Sequence, residues 1–246
     1  MAKRRRRRRP AARGWTSLAA LLAVCLIALA ILHFRGRPQD LPWTRLDLGE
    51  QPGWFTARKL AALDRDAPLC RALLDRAGVR FTTVDPLDAG KCGYRDALTL
   101  DPGGARAIGF DPDHPKMACP VAAALSMWEW NVVQPAALRH FGKRVVRFEQ
   151  LGTYNCRPIA GSATLSQHSY ARAIDISGFV LSDGRRISVA GDWTLGDDKA
   201  AFLHDVRDGA CGLFATTLSP DYNAAHWNHL HLDQAARGQY GWRACR

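Results

Sequence analysis

The sequence predicts an α+β fold: a single compact domain with a small antiparallel sheet and flanking helices, preceded by one N-terminal transmembrane helix. Three observations carry this expectation. Residues 17 to 34 form an apolar run free of Lys, Arg, Asp and Glu. The chain beyond it interleaves strand-like and helix-like patterns without the βαβ rhythm of a parallel sheet. Six of the seven cysteines are scattered over residues 70 to 245 with no CxxC pair. That distribution marks a disulfide-braced domain in an oxidising compartment rather than a thiolate metal site.

Residues 1–16 read as a basic cytoplasmic tail. Lys3, the run Arg4 to Arg9, and Arg13 face no acid there, so they carry +8 of the formal net charge of +11. The rest of the chain is therefore close to balanced. A run of arginines confined to a tail is a solvated or anionic-surface-binding segment, and no nucleic-acid partner is expected. Residues 17–35 read as the anchor, because eighteen helical residues span about 27 Å, enough for a hydrocarbon core. Arginines before the run outweigh Arg35 and Arg37 after it, which places the N-terminus in the cytoplasm and the domain in the periplasm. A cleaved signal peptide would need a shorter apolar core and a small-x-small site. Here His33-Phe34-Arg35-Gly36-Arg37 stands in that place. Leu22-Ala23-Val24-Cys25 is only loosely like a lipoprotein box, since Val24 is bulky and the apolar run continues past Cys25. The expectation is a single-pass inner-membrane protein.

Residues 36–60 carry Gly36, Pro38, Pro42, Gly49, Pro52 and Gly53 with weak periodicity, and read as a linker or irregular lead-in. Residues 61–246 then suit one domain with a real core. Its clearest helix begins after Cys119, with Pro120 in the first turn. Leu125, Trp128 and Val132 share a stripe, and Pro135 bends or ends the helix. Val145 to Leu151 reads as a strand. Ile174, Ile176 and Phe179, followed by Ile187 and Val189, suggest a hairpin turning at Asp183-Gly184. Lys199 to Val206 reads as a helix with Phe202, Leu203 and Val206 inward. The six cysteines Cys70, Cys92, Cys119, Cys156, Cys211 and Cys245 should all be paired; which pairs with which stays open, as does the oligomeric state.

Chemistry concentrates in two segments. His226, His229 and His231 crowd one run, and Ser166-Gln167-His168 precedes Ala173-Ile174-Asp175 in the other. Imidazole and carboxylate are usual zinc ligands, and a catalytic zinc wants three of them plus a water. In a strand, His229, His231 and Asp233 would share one face while Leu230 and Leu232 point into the core. His168 and Asp175 lie seven apart, too far for one helix turn and on opposite faces of one strand. A turn must intervene, with His168 in a loop and Asp175 on a strand. His114, His140 and His204 stand alone and receive no role, and Trp227 is assigned to packing.

These residues resemble those of zinc peptidases that cleave peptidoglycan peptides: D-Ala-D-Ala carboxypeptidases and dipeptidases, and penicillin-insensitive murein endopeptidases. The shared pattern is Ser-x-His, an Asp seven residues after the His, and a late His-x-His; His-x2-His-x-His is closer to the endopeptidase branch. A broader likeness, over about residues 65 to 246, is to the bacterial extensin-like C-terminal domain family. It rests on Gly152-Thr153-Tyr154-Asn155-Cys156-Arg157, Leu165-Ser166-Gln167-His168, Ala173 to Phe179, Cys119-Pro120, Ala210-Cys211 and the His-rich end.

The resemblance implies that His168, Asp175 and His231 ligate zinc. It places His229 beside the metal as proton acceptor, with His226 nearby. Arg157 would meet a substrate carboxylate, and Ser166 and Tyr154 would help position peptide. The implied activity is hydrolysis of peptidoglycan peptide crosslinks; the rival is a non-catalytic envelope module that binds wall polymer around a structural metal. Two departures stand out. Ala171-Arg172 replaces a small, glycine-containing pair, and Asn228 stands where the carboxypeptidase branch has a glutamate. No glutamate follows Glu149, so a Glu base would have to be Glu50, Glu129 or Glu149. His229 is the preferred base, because a neutral imidazole near pH 7 can accept a proton.

Overall fold

The computed structural model describes residues 12–34, 38–235 and 243–246. The start of the basic tail, including Lys3 and Arg4 to Arg9, lies outside the described residues. Helix α1 (Ala12–Phe34) contains the stretch Trp15–His33, long and apolar enough to cross a membrane and with none of it buried against the domain.

The segment expected as a linker is packed from Pro38 onward. Leu41, Leu46, Leu48, Leu60 and Leu63 are buried, and all but Leu41 join the main core. Lys59 Nζ stitches the segment from within, donating to the Pro38 carbonyl at 3.2 Å, Gln39 Oε1 at 3.3 Å and Thr44 Oγ1 at 2.8 Å. Those leucines follow neither a 3.6 nor a 2.0 repeat, so a Pro- and Gly-rich composition concealed a segment that belongs to the domain. Helices α2 (Thr56–Ala62) and α3 (Ala67–Arg76) follow. Asp66 caps α3 by accepting from the Leu69 N–H at 3.0 Å.

Three sheets follow. Strands β1 (Val79–Thr83), β4 (Ala97–Gly104) and β6 (Met117–Ala118) make one antiparallel sheet in the order β1-β4-β6. A small hairpin joins β2 (Leu87–Ala89) to β3 (Cys92–Tyr94). The main sheet comprises β5 (Gly109–Asp111), β7 (Val145–Gly152), β8 (Ala173–Leu181), β9 (Arg186–Ser188), β10 (Thr216–Leu218), β11 (Leu230–Asp233) and β12 (Ala244–Cys245). Its order is β12-β10-β11-β8-β7-β5. The middle is antiparallel, while both edge pairs, β5 with β7 and β10 with β12, are parallel. Nine-residue β8 meets β7 along one edge; on the other, its first half pairs with β11 and its second half with β9. The predicted hairpin turn is there, with Gly184 at a φ of 86°, a left-handed conformation that glycine adopts without steric cost.

Helix α4 (Cys119–Trp128) is buried at every residue. Pro135 does not end it. A π-helical turn, Glu129–Val133, leads without a break into α5 (Gln134–Phe141), with Pro135 in the first turn of α5. The widened turn shifts the hydrogen-bond register just where proline lacks an N–H. Trp128 sits at the centre of the core: its indole N–H donates to the Val206 carbonyl at 2.8 Å, and its ring lies 5.4 Å from Phe148 and 5.9 Å from Phe179. After the short α6 (Val189–Asp192) comes α7 (Asp198–Ala210), capped by Asp197, with Phe202, Leu203 and Val206 buried as their spacing predicted.

The six domain cysteines pair as Cys70–Cys119, Cys92–Cys156 and Cys211–Cys245, and Cys25 in α1 is free. The first bridge ties α3 to the start of α4. The second ties the β2–β3 hairpin to the loop that leads toward His168. The third closes α7 onto β12.

Candidate metal centre

Three neighbouring strands and one turn build the site. In the antiparallel register of β11 with β8, His231 lies directly opposite Asp175, so both side chains leave the sheet on one face. His168 comes from a 3-10 turn, Gln167–Tyr170, just before β8. Ser166 caps that turn, its Oγ accepting from the His168 N–H at 3.3 Å. Ala171 closes it at a φ of 53°, in the left-handed region where an alanine is strained and a glycine is not. The turn before β8 thus carries local strain at Ala171. Arg172 turns away from the site and pairs with Asp64 at 2.9 Å.

The two inner ring nitrogens and both oxygens of Asp175 converge. His168 Nε2 lies 3.2 Å from His231 Nδ1 and 3.2 Å from Asp175 Oδ2, and His231 Nδ1 lies 2.9 Å from Asp175 Oδ1. All three residues are buried. The outer ring nitrogens are committed elsewhere. His168 Nδ1 donates to the Thr153 carbonyl at 3.1 Å, and His231 Nε2 donates to Asp233 Oδ2 at 3.1 Å. With its proton held on the outside, each ring presents its other nitrogen inward as a donor of electrons. Thr153 follows β7, whose last residue Gly152 pairs with Asp175, so β7, β8 and β11 all contribute.

Electrostatics follow from this crowding. Burial pushes the Asp175 carboxyl up, but hydrogen bonds from His168 and His231 outweigh it and hold it well below the usual carboxylate range. Burial pulls His231 down, yet Asp175 and Asp233, one at each ring nitrogen, together raise it to about 9.

His229 precedes β11, its Nε2 3.5 Å from Asp175 Oδ1, while its Nδ1 is held by Asn228 Oδ1 at 2.8 Å. Burial lowers its affinity for a proton. His226 lies in a second 3-10 turn, Ala224–His226, with its Nδ1 2.7 Å from Asn223 Oδ1 and its ring 5.2 Å from that of His229. Burial and the neighbouring His229 and His231 bring it down to about 4.

The remaining sequence candidates divide. Arg157 is exposed and makes no ion pair among the described residues, and its charge reaches both His226 and His229. Tyr154 packs edge-on against Tyr94 at 5.4 Å. Ser166 is buried with its hydroxyl engaged in the cap, so its observed contact is to the turn that carries His168. Glu129 is held by buried Arg106 at 2.7 Å and Glu149 by Arg186 at 2.6 Å, while Glu50 is exposed in the lead-in segment. Trp227, expected to pack, is 60% exposed. The sequence reading gave no role to Thr153 or Asp233. Asp233 was legible as the third polar position on the His-bearing face, whereas a backbone carbonyl leaves no signal in side-chain identity.

Residues 68–246 match the family model described as extensin-like protein C-terminus. The chain belongs to that family. No curated protein and no solved structure matches the chain. The extensin-like region contains all three disulfides and every residue of the convergent site, while the packed segment from Pro38 precedes it.

A pH dependence follows for the metal-free extensin-like domain. The folded value of His231, about 9, lies above its ordinary 6.5. Its contribution to stability is fully present below pH 6.5 and is lost as pH rises through 9. The melting temperature of chelator-treated protein should fall across that window, and His231→Asn should flatten the fall. An unchanged slope in the variant would contradict the assignment.

Proposed function

We propose that this protein is a membrane-anchored, zinc-dependent hydrolase of peptidoglycan peptide crosslinks, of the murein endopeptidase or carboxypeptidase type. The observation that supports it best is the orientation of the donor set. Two imidazoles with outer protons tied to Thr153 and Asp233, and one carboxylate, turn their free donors to a common point. Ligand atoms about 2.0–2.2 Å from one zinc lie roughly 3–3.5 Å apart; here the two ring nitrogens are 3.2 Å apart, each lies 2.9 to 3.2 Å from one oxygen of Asp175, and one donor from each residue lies within 4.8 Å of the others. The residues present fit zinc. A zinc ion held there would supply a Lewis acid and an acidified water.

The chain's own groups account for the rest. His229 carries its proton on Nδ1, held by Asn228, so its Nε2 is the accepting nitrogen beside the site. Burial keeps it neutral near pH 7. As water adds across the amide, Nε2 takes the proton and returns it to the leaving amine. Asn228 thus holds the base, at the position where the resembling carboxypeptidases have a glutamate. The Arg157 guanidinium, without an ion pair among the described residues, would meet a peptide carboxylate by a charge-assisted hydrogen bond. Incubation of the zinc-loaded protein with crosslinked muropeptides, followed by chromatography, tests the reading: release of uncrosslinked products is expected, and no product from any murein substrate would refute it. The burial of all three ligands favours one rival, a wall-binding module with a closed metal; that reading needs His229 as a fourth ligand.

Asp233→Asn should weaken zinc affinity about 10–100-fold without unfolding the domain, since it removes the acceptor that orients His231. Competition with a chromogenic chelator measures this, and an unchanged affinity would count against the orienting role. For location, α1 supports an inner-membrane anchor with a cytoplasmic N-terminus, and the three disulfides support a periplasmic domain. Alkaline phosphatase fused after Arg246 should be active; activity only from a cytoplasmic reporter fused there would reverse the topology.

A further inference from the structure

Two tryptophans stand out of the domain where the chain leaves the anchor. Trp54 is 86% exposed, more than any other large hydrophobic residue among those described, and Trp43 is 61% exposed. They belong to one knuckle. The Trp54 N–H donates to Asp40 Oδ1 at 3.0 Å, and the Phe55 N–H donates to the Gln39 carbonyl at 3.1 Å. Trp43 follows Asp40 by three residues. The base of this knuckle is rigid: Gln39, Leu41, Leu46 and Leu48 are buried, and Lys59 ties Pro38 and Thr44 together.

Only residues 35–37 separate α1 from Pro38. Even fully extended, that connection spans no more than about 14 Å, so the knuckle is held at the end of the apolar helix. Indole is the side chain most at home at the membrane–water boundary, with an apolar ring and one N–H to hydrate. The sequence around the knuckle carries Arg35, Arg37, Arg45 and Arg58 against Glu50, so attraction to anionic lipid would add to insertion of the rings.

We propose that Trp43 and Trp54 form a second membrane contact, seating the domain against the lipid headgroups by insertion of their rings. The inference rests on α1 being embedded. It makes the anchored domain a membrane-hugging one whose site reaches no farther from the bilayer than its own width, about 40 Å for a domain of this length. Its substrate would then be the peptide layer next to the membrane.

The test uses the full chain in lipid nanodiscs, labelled with 5-fluorotryptophan and doped with a headgroup-nitroxide lipid. Fluorine signals are assigned with Trp15→Phe, Trp43→Phe, Trp54→Phe and Trp128→Phe; the first three positions are exposed and tolerate the change. Trp43 and Trp54 should broaden about as strongly as Trp15 in α1, and more than the buried Trp128. Broadening of Trp15 alone, with Trp43 and Trp54 no different from Trp128, would overturn the seating while leaving the anchor. If Trp15 also stays sharp, the helix is not embedded and both readings fall.

Discussion

His229→Ala should keep the fold and still cleave crosslinked muropeptides about 10²–10⁴-fold more slowly than the parent chain, the loss expected when a general base is removed. The size follows from its placement. Its Nε2 stands at the edge of the donor triangle, 3.5 Å from Asp175, and its proton is fixed on the far nitrogen by Asn228. Among the described residues, Glu129 and Glu149 are each held by an arginine and do not offer a substitute base. His226→Ala should be milder, since its Nδ1 is committed to Asn223 and it sits outside the strand. Equal rates for His229→Ala and the parent would remove His229 from the reaction.

The second large effect is on stability. Replacing both Cys70 and Cys119 by alanine should cost about 2–5 kcal/mol, read as a lower denaturant midpoint. Both cysteines are fully buried, and the bridge joins α3 to the first turn of α4, the helix around which the core is packed. Reduction therefore loosens the chain on both sides and leaves two buried small residues where a covalent link had been. The Cys211–Cys245 bridge should matter less, because Cys245 is exposed. A loss below about 1 kcal/mol for the Cys70/Cys119 pair would contradict this ranking.

What the sequence revealed depended on periodicity. Phe202, Leu203 and Val206 announced α7, the apolar alternation around Asp183-Gly184 announced the β8–β9 hairpin, and α4 was plain from its apolar run. Leu41, Leu46 and Leu48 carry no period, so the segment before the extensin-like region looked like a tether although it packs on the core. The π turn was hidden because Pro135 is a breaker in an α-helix but a fitting first-turn residue after a widened turn. Parallel edges were equally hidden, since β5 and β12 are two or three residues long. At the site, the crowding of histidines and carboxylates drew attention to two segments, the family resemblance singled out His168, Asp175 and His231, and the structure places their nitrogens and oxygens together. Ser166 was read toward substrate and is engaged in a cap, a role that Ser-x-His also fits. Disulfide pairing is a property of the folded chain, and no spacing rule could supply it.

Zinc content measures directly whether the site has three ligands with His229 left outside it. After chelation, reloading and removal of free metal, the parent chain and His229→Ala should each retain about one zinc per chain, while His231→Ala should retain almost none. A metal-free but folded parent chain that cannot be loaded, or a His229→Ala variant as empty as His231→Ala, would contradict a three-ligand site.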